Sequence, residues 1–274
     1  VSAAAQNSPF YRELYRDVVN PNFLQNPVLT ALPLIDAKKF WQANRIAGNQ
    51  LLTKTPDSWQ GLVFKSGGST GNPKFSLFTH EEWQTFTECF GQGMAKGWLS
   101  SNDRVANLFY VGELYASFLF IKDSIQNSGV PALQFPLAGA TAMEEISKTL
   151  QEFEIETLAG VPTTIVQLAT HMSETPKSWF AVKKILFGGE SFFDDQIEFV
   201  QNIWPGVEVH SIGYASVDAG LLGYASRSGS RFDHHCFSSA TIVEILDEES
   251  GRVITECGLP GKLIVTNLTR KLMP

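Results

Sequence analysis

Thr157-Leu158-Ala159-Gly160-Val161-Pro162 and Lys184-Ile185-Leu186-Phe187-Gly188-Gly189-Glu190 are the two stretches that decide the fold. Each opens with a short, largely apolar run bounded by glycine, which reads as a buried strand. Val161-Pro162 opens a helix after the first strand, because proline is accommodated in the first helical turn. A second helix follows Glu190 and runs to about residue 203. Strand, helix, strand, helix is the pattern of βαβ units and hence of a parallel sheet. Ligands of such sheets bind beyond the carboxyl ends of the strands, where Gly160-Val161 and Gly188-Gly189-Glu190 fall.

The same alternation extends outward. Val105–Tyr110 reads as a strand, 114–128 as an apolar helix with Gly129 as its C-cap, and Val130–Phe135 as a strand. Thr141–Phe153 reads as an amphipathic helix, with Met143, Ile146 and Leu150 at three- and four-residue spacing. Val207–Ile212 is the next strand, so Phe109-Tyr110 and Gly213-Tyr214 join the residues at strand ends. Near the start, Ser8 followed by Pro9 predicts a helix over 8–20. From about residue 239 the texture changes: Thr241–Leu246 and Gly261–Thr266 read as strands around the polar turn Asp247–Arg252. The expected division is an α/β core over 1–238 and a small antiparallel β subdomain over 239–274.

Lys65-Ser66-Gly67-Gly68-Ser69-Thr70-Gly71-Asn72-Pro73-Lys74 carries the clearest chemistry. Its glycines and proline let the backbone turn tightly, and successive N–H groups in such a loop form an anion-binding concavity. Ser66, Ser69 and Thr70 add hydroxyl donors. An apolar run, Gly61–Phe64, precedes the loop, and Lys74–Thr79 alternates with period two after it, so the loop joins two strands. A Walker P-loop would instead carry Gly-Lys-Ser/Thr at the start of a helix. The next helix, over 80–98, begins at the capping-box pattern Thr79-His80-Glu81-Glu82.

Composition narrows the function. A net charge of −7 without a long basic run leaves nucleic acid no electrostatic footprint. No run of 18 apolar residues is present, so no membrane span is expected. The 3 cysteines (Cys89, Cys236 and Cys257) are too few and too scattered for a disulfide framework, which favours a reducing, cytoplasmic setting. His234-His235-Cys236, with Cys257, invites a zinc reading. Adjacent histidines in a strand point to opposite faces, which argues against one shared ion.

Together these motifs resemble the adenylate-forming superfamily of acyl-CoA synthetases, peptide-synthetase adenylation domains and luciferases. Ser66–Lys74 is similar to its phosphate loop, Gly188-Gly189-Glu190 to its adenine-contacting segment, and Gly213-Tyr214-Ala215-Ser216-Val217-Asp218 to its Tyr-Gly-x-Thr/Ser-Glu motif. The stretch Gly258–Arg270 and the opening Asn7-Ser8-Pro9-Phe10-Tyr11 resemble the phenylacetate–CoA ligase branch. The resemblance covers essentially the whole chain, in the family's order.

The resemblance implies the large N-terminal domain of such an enzyme, with mostly parallel, helix-flanked sheets. It implies ATP-dependent activation of an aromatic carboxylic acid as an acyl-adenylate, with Mg²⁺, and transfer to coenzyme A or to a reductase. Ser66, Gly67, Gly68, Ser69, Thr70, Gly71 and Lys74 would bind phosphates, with Lys74 also catalytic. Gly188, Gly189, Glu190 and Tyr214 would border adenine. Asp218 would hold the metal and serve catalysis. Phe109, Tyr110, Val161, Pro162 and Gly213 would line the acid pocket. A homodimer is compatible with the resemblance. The family's mobile C-terminal domain, with its catalytic lysine, is not contained in this chain.

Three departures stand out. Ala215 replaces the usual glycine, Val217 lacks the hydroxyl of Thr/Ser, and Asp218 is one methylene shorter than Glu. They motivate a second reading, a degenerate nucleotide- or carboxylate-binding protein; a third is an acyl-protein synthetase that passes the acyl group to a partner's cysteine. Read without the resemblance, Tyr214 is a strand-end aromatic and Asp218 a turn residue.

Overall fold

A computed structural model describes residues 1–45, 47–55, 58–66, 74–174 and 182–274. The chain forms two compact units. The first comprises Val1–Thr85 together with Asn267–Pro274, and the second Phe86–Thr266.

The first unit starts with short helices α1 (Ser2–Asn7), α2 (Pro9–Leu14), α3 (Pro21–Gln25) and α4 (Ala37–Ala43). The helix expected over 8–20 begins as read, with the Ser8 side chain accepting from the Tyr11 N–H, but it ends at Leu14. Val18 and Val19 disfavour continuation, and Asn20-Pro21 starts a new helix whose Asn20 side chain accepts from the Phe23 N–H. Strands β1 (Gly61–Ser66) and β2 (Lys74–Thr79) pair antiparallel from Gly61↔Thr79 to Ser66↔Lys74. Helix α5 (His80–Lys96) follows. Its capping box is complete: the Thr79 N–H donates to Glu82 Oε2 at 2.8 Å, and the Glu82 N–H donates to Thr79 Oγ1 at 3.1 Å.

Chain ends meet in this unit. Leu272 and Met273 pack with Ala43, Leu51 and Leu52 in its core. The buried Glu82 carboxylate accepts from the N–H of Lys271 (2.6 Å) and of Leu272 (2.9 Å). Arg270, equally buried, lies 3.8 Å from Glu82, donates to the Leu77 carbonyl at 2.5 Å, and covers the Phe78 ring at 3.7 Å.

The second unit is built on a parallel sheet of β3 (Arg104–Asn107), β4 (Leu133–Pro136), β5 (Thr157–Gly160), β6 (Lys184–Phe187) and β7 (Glu208–Ser211). Their order among the described residues is β4-β3-β5-β6-β7. Helices α6 (Ser117–Asn127), α7 (Met143–Glu152), α8 (Pro162–Glu174) and α9 (Asp194–Ile203) supply the crossovers. Strands buried on both faces need near-continuous apolar runs, and Leu158 and Ile185 are fully buried. Ile146 and Leu150 of α7, Ile165 and Leu168 of α8, and Ile197 and Val200 of α9 pack into the same core. Burial of each such side chain contributes about 1.5–3 kcal/mol.

The strand expected over Val105–Tyr110 stops at Asn107. The Asn107 side chain accepts from the Phe109 N–H at 3.2 Å and donates to the Phe118 carbonyl at 3.1 Å, which bends the chain away.

After β7 the chain enters an antiparallel sheet of β8 (Tyr214–Ser216), β9 (Gly220–Ala225) and β10 (His234–Cys236), ordered β10-β9-β8. Strands β11 (Thr241–Leu246) and β12 (Lys262–Asn267) form a further two-stranded sheet. The α/β architecture matches the expected fold class. No helix among the described residues is long and apolar enough to cross a membrane.

Candidate active site

The carboxyl ends of β6 and β7 border a cavity of about 730 Å³ in the second unit. Gly188, Gly189, Glu190, Gly213, Tyr214 and His234 are among its lining residues. The glycines, Glu190 and Tyr214 reach it because a parallel strand has just ended, whereas His234 comes from the antiparallel strand β10. Gly213 is required by geometry: its φ is +135°, and a Cβ there would lie 2.6 Å from the Phe90 ring. Tyr214, half exposed at 50%, offers an aromatic face to the cavity.

The other residues read as acid-pocket lining divide. Phe109 and Val161 are buried directly behind the glycines: a Cβ on Gly188 would lie 3.8 Å from the Phe109 ring, and one on Gly189 3.4 Å from Val161. Pro162 is buried at the first position of α8. Tyr110 sits on an exposed segment where Gly112, Glu113 and Leu114 all have positive φ.

Glu190 is engaged by a partner absent from the sequence reading. Its Oε2 accepts from the Thr163 N–H at 3.2 Å and the Thr163 hydroxyl at 2.5 Å. The carboxylate therefore caps the first turn of α8, where the helix dipole favours negative charge. Asp218 lies at the β8–β9 turn, where its Oδ1 accepts from the Ser216 hydroxyl and from the Ala219 N–H at 3.0 Å. Both bonds fall on Oδ1, which leaves Oδ2 for a metal. Mg²⁺ is commonly held by one or two carboxylates plus substrate phosphates, so a single Asp oxygen suits it.

The stretch Ser66–Lys74, read from its sequence as a phosphate loop, falls in the first unit. Gly67, Gly68, Ser69, Thr70 and Gly71 lie outside the described residues. Ser66 and Lys74 form the last pair of the β1–β2 ladder and flank the loop. The Lys74 ammonium rests 4.8 Å from the centre of the Trp41 ring, a cation–π contact. Nothing in the spacing of residues 41 and 74 signals that contact in advance.

The two adjacent histidines of β10 point apart, as strand geometry requires. His234 Nε2 meets the Ser211 hydroxyl at 2.8 Å, and His235 Nε2 meets the Ser226 hydroxyl at 3.1 Å.

No protein-family model matches the chain, and no curated protein matches it. Solved structures do. The structure of 2-hydroxyisobutyryl-CoA ligase with 2-HIB-AMP and CoA superposes over 100% of this chain and 58% of its own length, with a TM-score of 0.83 at 19% identity. The chain shares the fold of this ligase. A long-chain-fatty-acid-CoA ligase from Archaeoglobus fulgidus shares it at TM-score 0.58 and 14% identity, over 75% of this chain and 41% of that one. A luciferase-like enzyme from Zophobas morio does so at TM-score 0.55 and 17% identity, over 89% and 53%. The chain thus spans 58–64% of the 2-hydroxyisobutyryl-CoA ligase.

Two histidines give the fold a pH signature. Burial lowers the pKa of His210, which stacks on Trp98 at 3.5 Å, despite the opposing pull of Glu208. Burial also lowers that of His234, against the Phe232 carbonyl and Asp233. Both are held neutral in the folded chain, while the unfolded chain takes up their protons near pH 6.5. Their contribution to stability is complete above that pH and is lost as pH falls through the lowered values. The urea midpoint is expected to drop between pH 7.5 and 5.5, and to drop less in a His210→Gln/His234→Gln variant. An equal drop in both proteins would refute this assignment.

Proposed function

We propose that this chain is the nucleotide- and acid-binding part of an enzyme that activates a carboxylic acid with ATP, giving an acyl-adenylate and pyrophosphate. The observation that carries the reading is the cavity at the ends of β6 and β7, which gathers Gly188, Gly189, Gly213 and Tyr214 in a fold shared with a ligase bound to its acyl-AMP. Two anions must approach each other in this reaction, so the protein has to offset phosphate charge and align the attack. In this reading the Ser66–Lys74 loop cradles the β,γ-phosphates and the Lys74 ammonium adds positive charge. Tyr214 packs on adenine. Asp218 presents Oδ2 to Mg²⁺, which when bound offsets phosphate charge. Phe109 and Val161, behind Gly188 and Gly189, support the acid's side of the cavity, and Pro162 and Tyr110 are proposed to extend it.

The acid is proposed to be aromatic, and the acceptor coenzyme A or a reductase. The sequence resembles an atypical adenylating protein of phenazine-antibiotic biosynthesis, so aryl and phenazine carboxylic acids head the panel of substrates. The test is acid-dependent ATP–pyrophosphate exchange by the full-length protein with Mg²⁺. Exchange with one acid supports the reading and names the substrate. A protein that binds MgATP but exchanges with no acid fits the second reading, a degenerate binding protein. That alternative is favoured by one observation: Asp218 is tied into its own turn by Ser216 and Ala219. Asp218→Ala is expected to reduce exchange at least tenfold more than it reduces MgATP affinity. Equal losses would argue against a metal-holding role.

A further inference from the structure

The wall of the cavity turns a corner between Ser211, the last residue of β7, and Tyr214, the first of β8. In those few residues the chain leaves a parallel sheet and enters an antiparallel one. The Gly213 N–H donates to Ser211 Oγ at 3.1 Å. Ser211 Oγ is in turn 2.8 Å from His234 Nε2, while its distance to the Gly213 carbonyl is 3.5 Å. A neutral imidazole offers one ring nitrogen as an acceptor, and the Ser211 hydroxyl, which accepts from Gly213, has its own proton to give to Nε2. A chain of hydrogen bonds therefore runs from His234 through Ser211 to Gly213.

His234 reaches this corner across an intervening strand. It lies on β10, which pairs with β9, and β9 pairs with β8. The residue of β9 opposite Tyr214 is Gly223. A Cβ on Gly223 would lie 2.7 Å from the Cβ of His234, so only glycine leaves room for the imidazole to pass. The rings of His234 and Tyr214 are 6.0 Å apart.

We propose that His234 is a positioning residue that sets the Gly213–Tyr214 corner through Ser211, and thereby fixes the aromatic wall offered to a nucleotide base. The role in nucleotide binding rests on the adenylation reading; the role in holding Tyr214 does not. The bare β9 glycine serves the same device, and Gly223→Ala acts like loss of the imidazole.

The test uses the full chain labelled with 3-fluorotyrosine, the Tyr214 resonance being assigned from Tyr214→Phe. Ser211→Ala, His234→Ala and Gly223→Ala are each expected to shift that resonance and to weaken MgATP binding about tenfold, the effect of one lost hydrogen bond in a positioned network. His234→Gln keeps a side-chain acceptor for Ser211 and is expected to restore both readouts. An unmoved Tyr214 resonance in folded His234→Ala overturns the proposal. So does His234→Gln behaving like His234→Ala while its thermal unfolding matches wild type. If His234→Ala fails to fold, Ser211→Ala and His234→Gln supply the same two readouts. A shifted resonance in a protein whose wild type does not bind MgATP upholds the corner and defeats the adenylation reading.

Discussion

Arg270→Ala is expected to destabilise the first unit by about 3–5 kcal/mol, the usual cost of removing one partner from a buried charge pair. Arg270 and Glu82 have side chains only 3% and 4% exposed. Burial alone would push the Glu82 carboxyl up. The N–H groups of Leu272, Lys271 and Thr79, with the charge of Arg270, outweigh it and hold the carboxyl below its ordinary value. Removing the guanidinium leaves that carboxylate charged and buried, and also uncovers Phe78 and the Leu77 carbonyl. The contrasting case is Arg16, whose pairing with Glu13 is 65% and 68% exposed; Arg16→Ala is expected to change stability by less than about 1 kcal/mol. Urea unfolding and hydrogen exchange at the β1–β2 amides would separate the two. A loss below about 1 kcal/mol for Arg270→Ala would show that the pair's desolvation cancels its attraction.

Tyr214→Ala is expected to weaken MgATP binding by about 1–3 kcal/mol, the range for removing an aromatic that stacks on a base. Tyr214→Phe keeps the ring and is expected to retain most of the affinity. Lys74→Ala is expected to weaken binding as well, and to flatten its salt dependence, because a charge rather than a surface is lost. Isothermal titration with MgATP at two salt concentrations reads both effects. If neither alanine variant lowers affinity, neither the Tyr214 wall nor the glycine loop contacts the nucleotide. The Lys74–Trp41 contact adds an optical readout: an ammonium leaving the indole face should change tryptophan fluorescence on ATP addition, and Lys74→Ala should abolish that change.

The parallel sheet was legible because its signal is local and periodic. Thr157–Gly160 and Lys184–Phe187 are strands with the bounds read from the residues alone, and the stripe of Met143, Ile146 and Leu150 marks α7. The Thr79–Glu82 capping box was legible for the same reason. The β8–β9–β10 sheet was not, since two of its strands are only three residues long and glycines interrupt the third. That Gly188, Gly189, Gly213 and Tyr214 share a cavity follows from their places at the ends of β6 and β7. The contacts of Glu190 with Thr163, of Ser211 with His234 and of Lys74 with Trp41 join residues far apart in sequence, and no spacing rule encodes them.

The return of the last residues to the first unit bears on how the polypeptide is made. Leu272 and Met273 belong to the same apolar cluster as Ala43 and Leu51, and Tyr11 donates to the carbonyl of Pro274. A ribosome delivers the helices and hairpin of the first unit early, yet their core is incomplete until the chain has been synthesised through residue 273. At about 5–20 residues per second, the intervening segment takes roughly 10–40 s to emerge. During that interval Phe10, Phe40 and Trp59 lack part of their cover. The order of maturation is therefore inverted with respect to the order of synthesis. A translational pause before residue 272 would lengthen the exposure of these side chains.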